Sequence, residues 1–430
     1  MANTYLHPTA GYIVNMGYQG APEPISVKGR DYLRALASEV AEIAARPEQA
    51  ARREMWTDHN ELRSKLPLFI LYPEDGWADL IGPDELKMES ALWRNCEWYL
   101  KHLIYRKRYI DDDFFTAAQI FPLVEHTIDN YGFGLPGKPL KLIEESGAWR
   151  NEPALMTYSD LHKMVPPKLR IDRDMTNRRM EAVQEVFRGV LAVTPHLSSR
   201  FEANQPGCAA GLRGIEQVML DMYDEPDNLH ALLEIITQGY IGLYRDMEAS
   251  GYLLPNTDNH YVDAGGNGFS DTMPRSAPAP LSSLWAHGVA QEYFGVSPAM
   301  HAEFGVAYQA RILRLFGRSA YGCCEPYTKK FGILKDVPNL RRVSVSAWCD
   351  IEEAAAALSD KIIFSWKPNP SVVLYGDTDT IRKSVRAALH CAKDCYLEIF
   401  LKDIIRLKGL ADRIFQFSGI LREEIGRACG

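Results

Sequence analysis

Apolar positions recur along this chain with two different periods, and the alternation between them is the first structural signal. From Val27 to Arg46 the residues Leu33, Leu36, Val40 and Ile43 fall three and four apart, the spacing of one face of an amphipathic helix. Pro47 follows as a natural stop. A second helix is predicted from Pro83 to Lys107, with Leu86, Met88, Leu92, Cys96, Tyr99 and Leu103 as its buried stripe. Cys96 belongs to that stripe as a core residue, since free cysteine is among the most buried residue types.

Between and after the helical stretches lie short apolar runs bounded by turn residues. They are Leu66–Tyr72, Phe114–Phe121, Gly189–Thr194, Ser283–Ala290, Arg318–Cys324, Arg342–Trp348, Lys361–Trp366 and Tyr396–Leu401. Several are apolar almost without interruption, as strands covered on both faces should be. Strands alternating with helices predict an α/β fold, and this number of them predicts a (β/α)8 TIM barrel. Residues 1–65 are then a helical N-terminal extension and 66–430 the barrel with helical insertions. There is no low-complexity tract and no repeat of solenoid length.

Composition changes this picture little. A chain of 430 residues that is 46% hydrophobic and 24% charged can bury a large core. The net charge of −8, with no long Lys/Arg run, argues against a nucleic-acid partner. Eight cysteines are too dilute for a disulfide scaffold. No secretory leader and no membrane-length apolar run is apparent, so a reducing cytoplasm is expected.

The residues just past the strand ends carry the chemistry. They include Pro73-Glu74, His196, Gln291-Glu292, Cys323-Cys324-Glu325, Trp348-Cys349-Asp350, Lys367-Pro368-Asn369-Pro370 and Lys402-Asp403. In a barrel these ends form the active face. Thiolates and carboxylates there suit a soft divalent metal or acid–base work. On a regular strand adjacent cysteines point to opposite faces, so Cys323 and Cys324 are expected on opposite faces of theirs. Gly265-Gly266-Asn267-Gly268 fits neither a Rossmann nor a P-loop pattern and is expected to be a flexible loop over the mouth. Asp111-Asp112-Asp113 precedes a strand, where solvation or helix capping is expected.

At these positions the chain resembles the uroporphyrinogen decarboxylase superfamily, in the branch allied to corrinoid-dependent methyltransferases. The resemblance runs from about Arg52 onward. It rests on Trp285 to Phe304, Gly322-Cys323-Cys324-Glu325-Pro326, Pro338 to Ser346, Lys367-Pro368-Asn369-Pro370, Tyr261 with the glycine run, and Glu398 with Lys402-Asp403. It implies the (β/α)8 barrel independently. True decarboxylases of this kind grip substrate carboxylates with arginines after the first strand, whereas here that strand leads into Pro73-Glu74-Asp75, which would repel them.

The methyltransferase relatives bind zinc through His-x-Cys and a later cysteine. Here the histidine position is Tyr321, Lys402-Asp403 stands where the later cysteine would fall, and only Cys323 carries over; the resemblance thus implies Cys323 inward and Cys324 outward beneath a helix. What the resemblance implies is transfer of a methyl group from a small methylated donor, a methoxylated aromatic first, to a Co(I) corrinoid on a separate protein. The catalytic candidates are Glu325, Gln291, Glu292, Lys367 and Asp403. The substrate-binding candidates are His260, Trp285, Trp348 and Asn369, and the metal candidates, with zinc in view, are Cys323, Cys324 and Glu325. Alternatives are a thiol-methylating zinc enzyme, a decarboxylase, or a non-catalytic corrinoid- or tetrapyrrole-binding protein. The oligomeric state is open, a dimer included.

Overall fold

The computed structural model describes residues 20–135, 141–142, 149–150, 153–198, 200–262 and 264–430. Helix α1 (Val27–Ala44) starts at Ser26, whose hydroxyl accepts from the Gly29 amide at 3.0 Å, an N-cap that satisfies one of the orphan donors of the first turn. Its buried stripe is Leu33, Ala37, Val40 and Ile43. Pro47 does not merely stop this helix. It sits at the first position of α2 (Pro47–Asn60), where its fixed φ and missing N–H cost nothing.

The helix predicted from Pro83 is shorter, α3 (Ala91–Tyr109), preceded by a single tight turn at Pro83–Glu85. Glu97 explains the difference. Its carboxylate accepts from the backbone amides of Lys87 and Met88 at 2.7–2.9 Å, tying that segment down as an extended strap.

All eight expected strand positions are strands, with trimmed ends. Among the described residues nine strands pair in parallel: β1 (Leu68–Leu71), β2 (Gln119–Ile120), β3 (Ala192–Val193), β4 (Glu202–Ala203), β5 (Trp285–Gly288), β6 (Arg318–Tyr321), β7 (Leu340–Val345), β8 (Ile363–Trp366) and β9 (Tyr396–Leu401). Seven of them form one parallel sheet in the order β1-β9-β8-β7-β6-β5-β4. β2 and β3 pair with each other, extended by a bridge between Leu123 and His196. This mixed α/β architecture with a mostly parallel sheet and many helices is compatible with a TIM-barrel-like fold.

The acidic triplet shows why the ladder ends at β1. Asp113 Oδ2 accepts from the Phe69 amide at 2.9 Å and Asp112 Oδ2 from the Leu71 amide at 3.0 Å. Both carboxylates are buried, Asp112 beside Arg106 and Asp113 2.7 Å from Arg422. They take the edge donors that a neighbouring strand would take. Solvation, expected for the triplet, is overturned for these two residues.

The glycine run is also placed differently from expectation. Gly265, Gly266 and Gly268 are buried. A Cβ on Gly266 would lie 2.3 Å from the Arg342 guanidinium, and one on Gly268 only 1.7 Å from the Asn256 carbonyl. Glycine is needed here for close approach, not for flexibility. Around this segment Arg342 pairs with Glu398 (Nε–Oε1 2.8 Å), and Asn60 reaches Asn267 and Phe269. Trp285 donates its indole N–H to Gly268 O at 3.1 Å. Among the described residues no helix is long and apolar enough to cross a membrane.

Candidate active site at the carboxyl ends of the strands

The chain leaves β6 through Gly322, whose φ of +94° only glycine adopts without strain. His287 Nε2 meets the Gly322 carbonyl at 2.7 Å, and Ser344 Oγ donates to the Cys323 carbonyl at 2.9 Å. The main chain is thereby pinned in a turn rather than a strand. As a result Cys324 does not point away under a helix: the Sγ atoms of Cys323 and Cys324 lie 3.5 Å apart. Opposite-face geometry holds only for extended backbone, and the positive φ ends it here.

Lys402, just past β9, places its ammonium 3.7 Å from Cys323 Sγ and 3.6 Å from Cys324 Sγ. The same ammonium is 2.9 Å from Asp403 Oδ1, and the Asp403 amide donates to Glu74 Oε2 at 2.6 Å. Burial opposes the charge on Lys402, yet Cys323, Tyr261 and Asp403 hold its pKa above the ordinary lysine value. The thiols divide their roles. The hydrogen bond between them, then burial, pushes Cys323 up, while the same hydrogen bond, helped by Lys402, pulls Cys324 down. Cys324 is thus the sulfur disposed to ionise. Burial raises Glu74, with Asp403 adding to the effect and Lys402 opposing it.

Glu325 is buried and its carboxylate is fully engaged. Oε1 accepts from Tyr327 Oη at 2.6 Å and the Ala290 amide at 3.3 Å, and Oε2 accepts from the Cys323 amide at 2.9 Å. Glu292, after β5, is the opposite case. It is half-buried, and its Oε2 is enclosed with no partner among the described residues. Burial raises its pKa, and the Glu325 and Glu202 carboxylates add to that. Gln291 beside it is exposed.

The remaining candidates stand apart. Lys367 is buried, with its ammonium on Ser365 Oγ and 5.1 Å over the Phe400 ring. Asn369 spends its side-chain oxygen on the Ser371 amide as a helix N-cap at 2.9 Å. Trp285 is fully buried beneath the Arg342 guanidinium, 4.9 Å from its ring. Trp348 is 69% exposed. His260 is buried, bonded through Nδ1 to Asp258, with its ring 5.6 Å from His196 and 5.1 Å from Phe121.

The three metal candidates do not assemble as ligands. Among the described residues no group of three or more His, Cys, Asp or Glu side chains is arranged to hold a metal ion. Lys402 adds a physical reason, since an ammonium already faces both sulfurs where a cation would sit, and Glu325 has given its oxygens to protein donors. These residues do not fit zinc. Tyr327, which positions Glu325, escaped sequence reasoning because its two-residue spacing carries no periodic signal. Lys402 was visible only as a strand-end charge.

No family model matches this chain, and no curated protein matches it. Among solved structures, a methyltransferase from Methanosarcina mazei aligns at 11% identity and a TM-score of 0.40, over 68% of this chain and 76% of that one. Likeness at that level decides neither fold family nor activity.

Proposed function

We propose that this chain is a (β/α)8-barrel methyltransferase that removes a methyl group from a small donor, a methoxylated aromatic first, in favour of a Co(I) corrinoid on a separate protein. The observation that carries the proposal is Glu292, a carboxyl just past a strand end whose pKa is raised by burial, with one oxygen uncommitted among the described residues. An aryl methyl ether has a poor leaving group. As its C–O bond breaks, the departing oxygen needs a proton, and a carboxylic acid of raised pKa is suited to give one. The corrinoid would supply the nucleophile that accepts the methyl group. Glu325, fixed by Tyr327 and two amides, would shape the floor of the site, and its charge adds to the rise at Glu292.

A docking partner is supported by large apolar side chains exposed in the loops after three strands. They are Phe294 after β5, Trp348 after β7 and Ile405 after β9, at 61%, 69% and 72% exposure. Exposed aromatic and aliphatic groups around a mouth of charged residues are what a transient protein interface needs.

The test combines the protein with a reduced corrinoid protein and a panel of methoxyarenes, methylamines and methyl thioethers. Phenol release with loss of the Co(I) spectrum is expected for a methoxyarene, falling about a hundredfold or more in Glu292→Gln. No turnover across the whole panel would overturn the proposal.

A further inference from the structure

The two thiols that the Gly322 turn brings together form a unit that acid–base chemistry at Glu292 does not use. Their sulfurs lie 3.5 Å apart, so a bond of about 2.05 Å can close over a short distance, at the cost of strain in the ring between neighbouring residues. The backbone on both sides is pinned by Gly288, His287, Ser344 and Glu325. Both residues are half-buried, and their sulfurs face the Lys402 ammonium, which favours a thiolate. All eight cysteines are free.

We propose that Cys323 and Cys324 are a reversible redox-modification site, closed to an intramolecular disulfide by a low-molecular-weight disulfide of the glutathione class. In the first step the Cys324 thiolate attacks one sulfur of the small disulfide. That S–S bond breaks and one small thiolate leaves. In the second, Cys323 gives up its proton to solvent and its sulfur attacks Cys324 Sγ, expelling the other small thiolate. Two protein thiols are oxidised and one small disulfide is reduced to two thiols. The ring so formed is reducible, because neighbouring Cα atoms are about 3.8 Å apart across a trans peptide, against about 4.4–6.8 Å in ordinary disulfides. Strained, accessible disulfides are the labile ones. Closing the bond withdraws both sulfurs from Lys402 and leaves that ammonium to Asp403.

Cleavage after Arg318 and Lys329 isolates the peptide Ser319–Lys329, which contains both cysteines. After incubation of the whole protein with glutathione disulfide, this peptide is expected to be lighter by two hydrogens, to carry no glutathione, and to return to its original mass with dithiothreitol. In Cys323→Ser or Cys324→Ser the remaining thiol is expected to be trapped as a mixed disulfide. The exposed Cys429 serves as the internal control for exchange. The proposal is overturned if the Cys429 peptide is modified while the wild-type Ser319–Lys329 peptide is unchanged or keeps glutathione. The readout is a mass, independent of methyl transfer.

Discussion

Glu398 on strand β9 and Lys402 just past its end lie four positions apart, and the molecule treats them in opposite ways. Glu398 is fully buried and meets the Arg342 fork at 2.8 and 3.2 Å, with His59 at 3.6 Å. Burial works to raise its pKa, but Arg342 first and then His59 hold it down to about 2. Lys402 is equally short of water, yet faces two thiols and one partly exposed carboxylate, none in a fork geometry. Glu398 has a buried guanidinium close against both of its oxygens, one through a hydrogen bond and one through ion-pair contact, which holds it in the charged state. Lys402 has soft, titratable partners instead. The first is the chemistry of stability, and the second is what a working site would need at the carboxyl ends of parallel strands.

Breaking the Arg342–Glu398 pair should have the largest effect. Arg342→Met leaves Glu398 buried without its counter-ion, and a loss of about 3–5 kcal/mol in urea unfolding is expected. Arg342→Met with Glu398→Leu should recover much of that, because replacing both partners removes the uncompensated charge. If the single variant unfolds at the wild-type midpoint, the interior pair is not the anchor described.

Acid sharpens the same contrast. The folded pKa of Glu398 lies below its ordinary value of 4.5, so the folded state binds fewer protons than the unfolded chain. Its contribution is present above pH 4.5 and is lost as the pH falls towards 2, amounting to about 3 kcal/mol over that window. Glu61, held to about 2 against burial chiefly by Arg318, slopes the same way. The double variant Arg342→Met/Glu398→Gln should therefore lose stability less steeply than wild type between pH 5 and pH 3 in denaturant titrations. Parallel slopes would remove Glu398 from the account.

The strands were legible in the sequence because buried parallel strands read as continuous apolar runs, and all eight positions hold. The edge of the sheet was not. Nothing in Asp111-Asp112-Asp113 says that two of its carboxylates will bond the amides of β1, since that depends on a fold which brings Arg106 and Arg422 to neutralise them. The glycine run was recognised as special, but glycine for a flexible loop and glycine for close packing look alike until Arg342 is seen against Gly266. At the site, residue types near the strand ends were found from position alone. Their orientation was not, because one positive φ at Gly322 turns an inward and an outward cysteine into a pair.

The smallest effect on stability, and the finest test of the contrast, is expected from Lys402→Met. In the Lys402–Asp403 pair the carboxylate is open to solvent although the ammonium is buried, and loss of a pair with one solvated partner costs about 1 kcal/mol. Its chemical effect should be the larger one. Without the ammonium at 3.6 Å, Cys324 loses a charge that favours its thiolate, and each unit of upward shift cuts the thiolate fraction about tenfold below the pKa. Alkylation of the Ser319–Lys329 peptide by iodoacetamide at neutral pH should slow on that order, while the exposed Cys429 reacts as before. A variant that unfolds early but alkylates at the wild-type rate would reverse the assignment and make Lys402 a second anchor like Arg342. Slower alkylation at nearly unchanged stability would show that two charges four residues apart along β9 and its exit serve separate ends, one holding the fold and the other tuning a nucleophile.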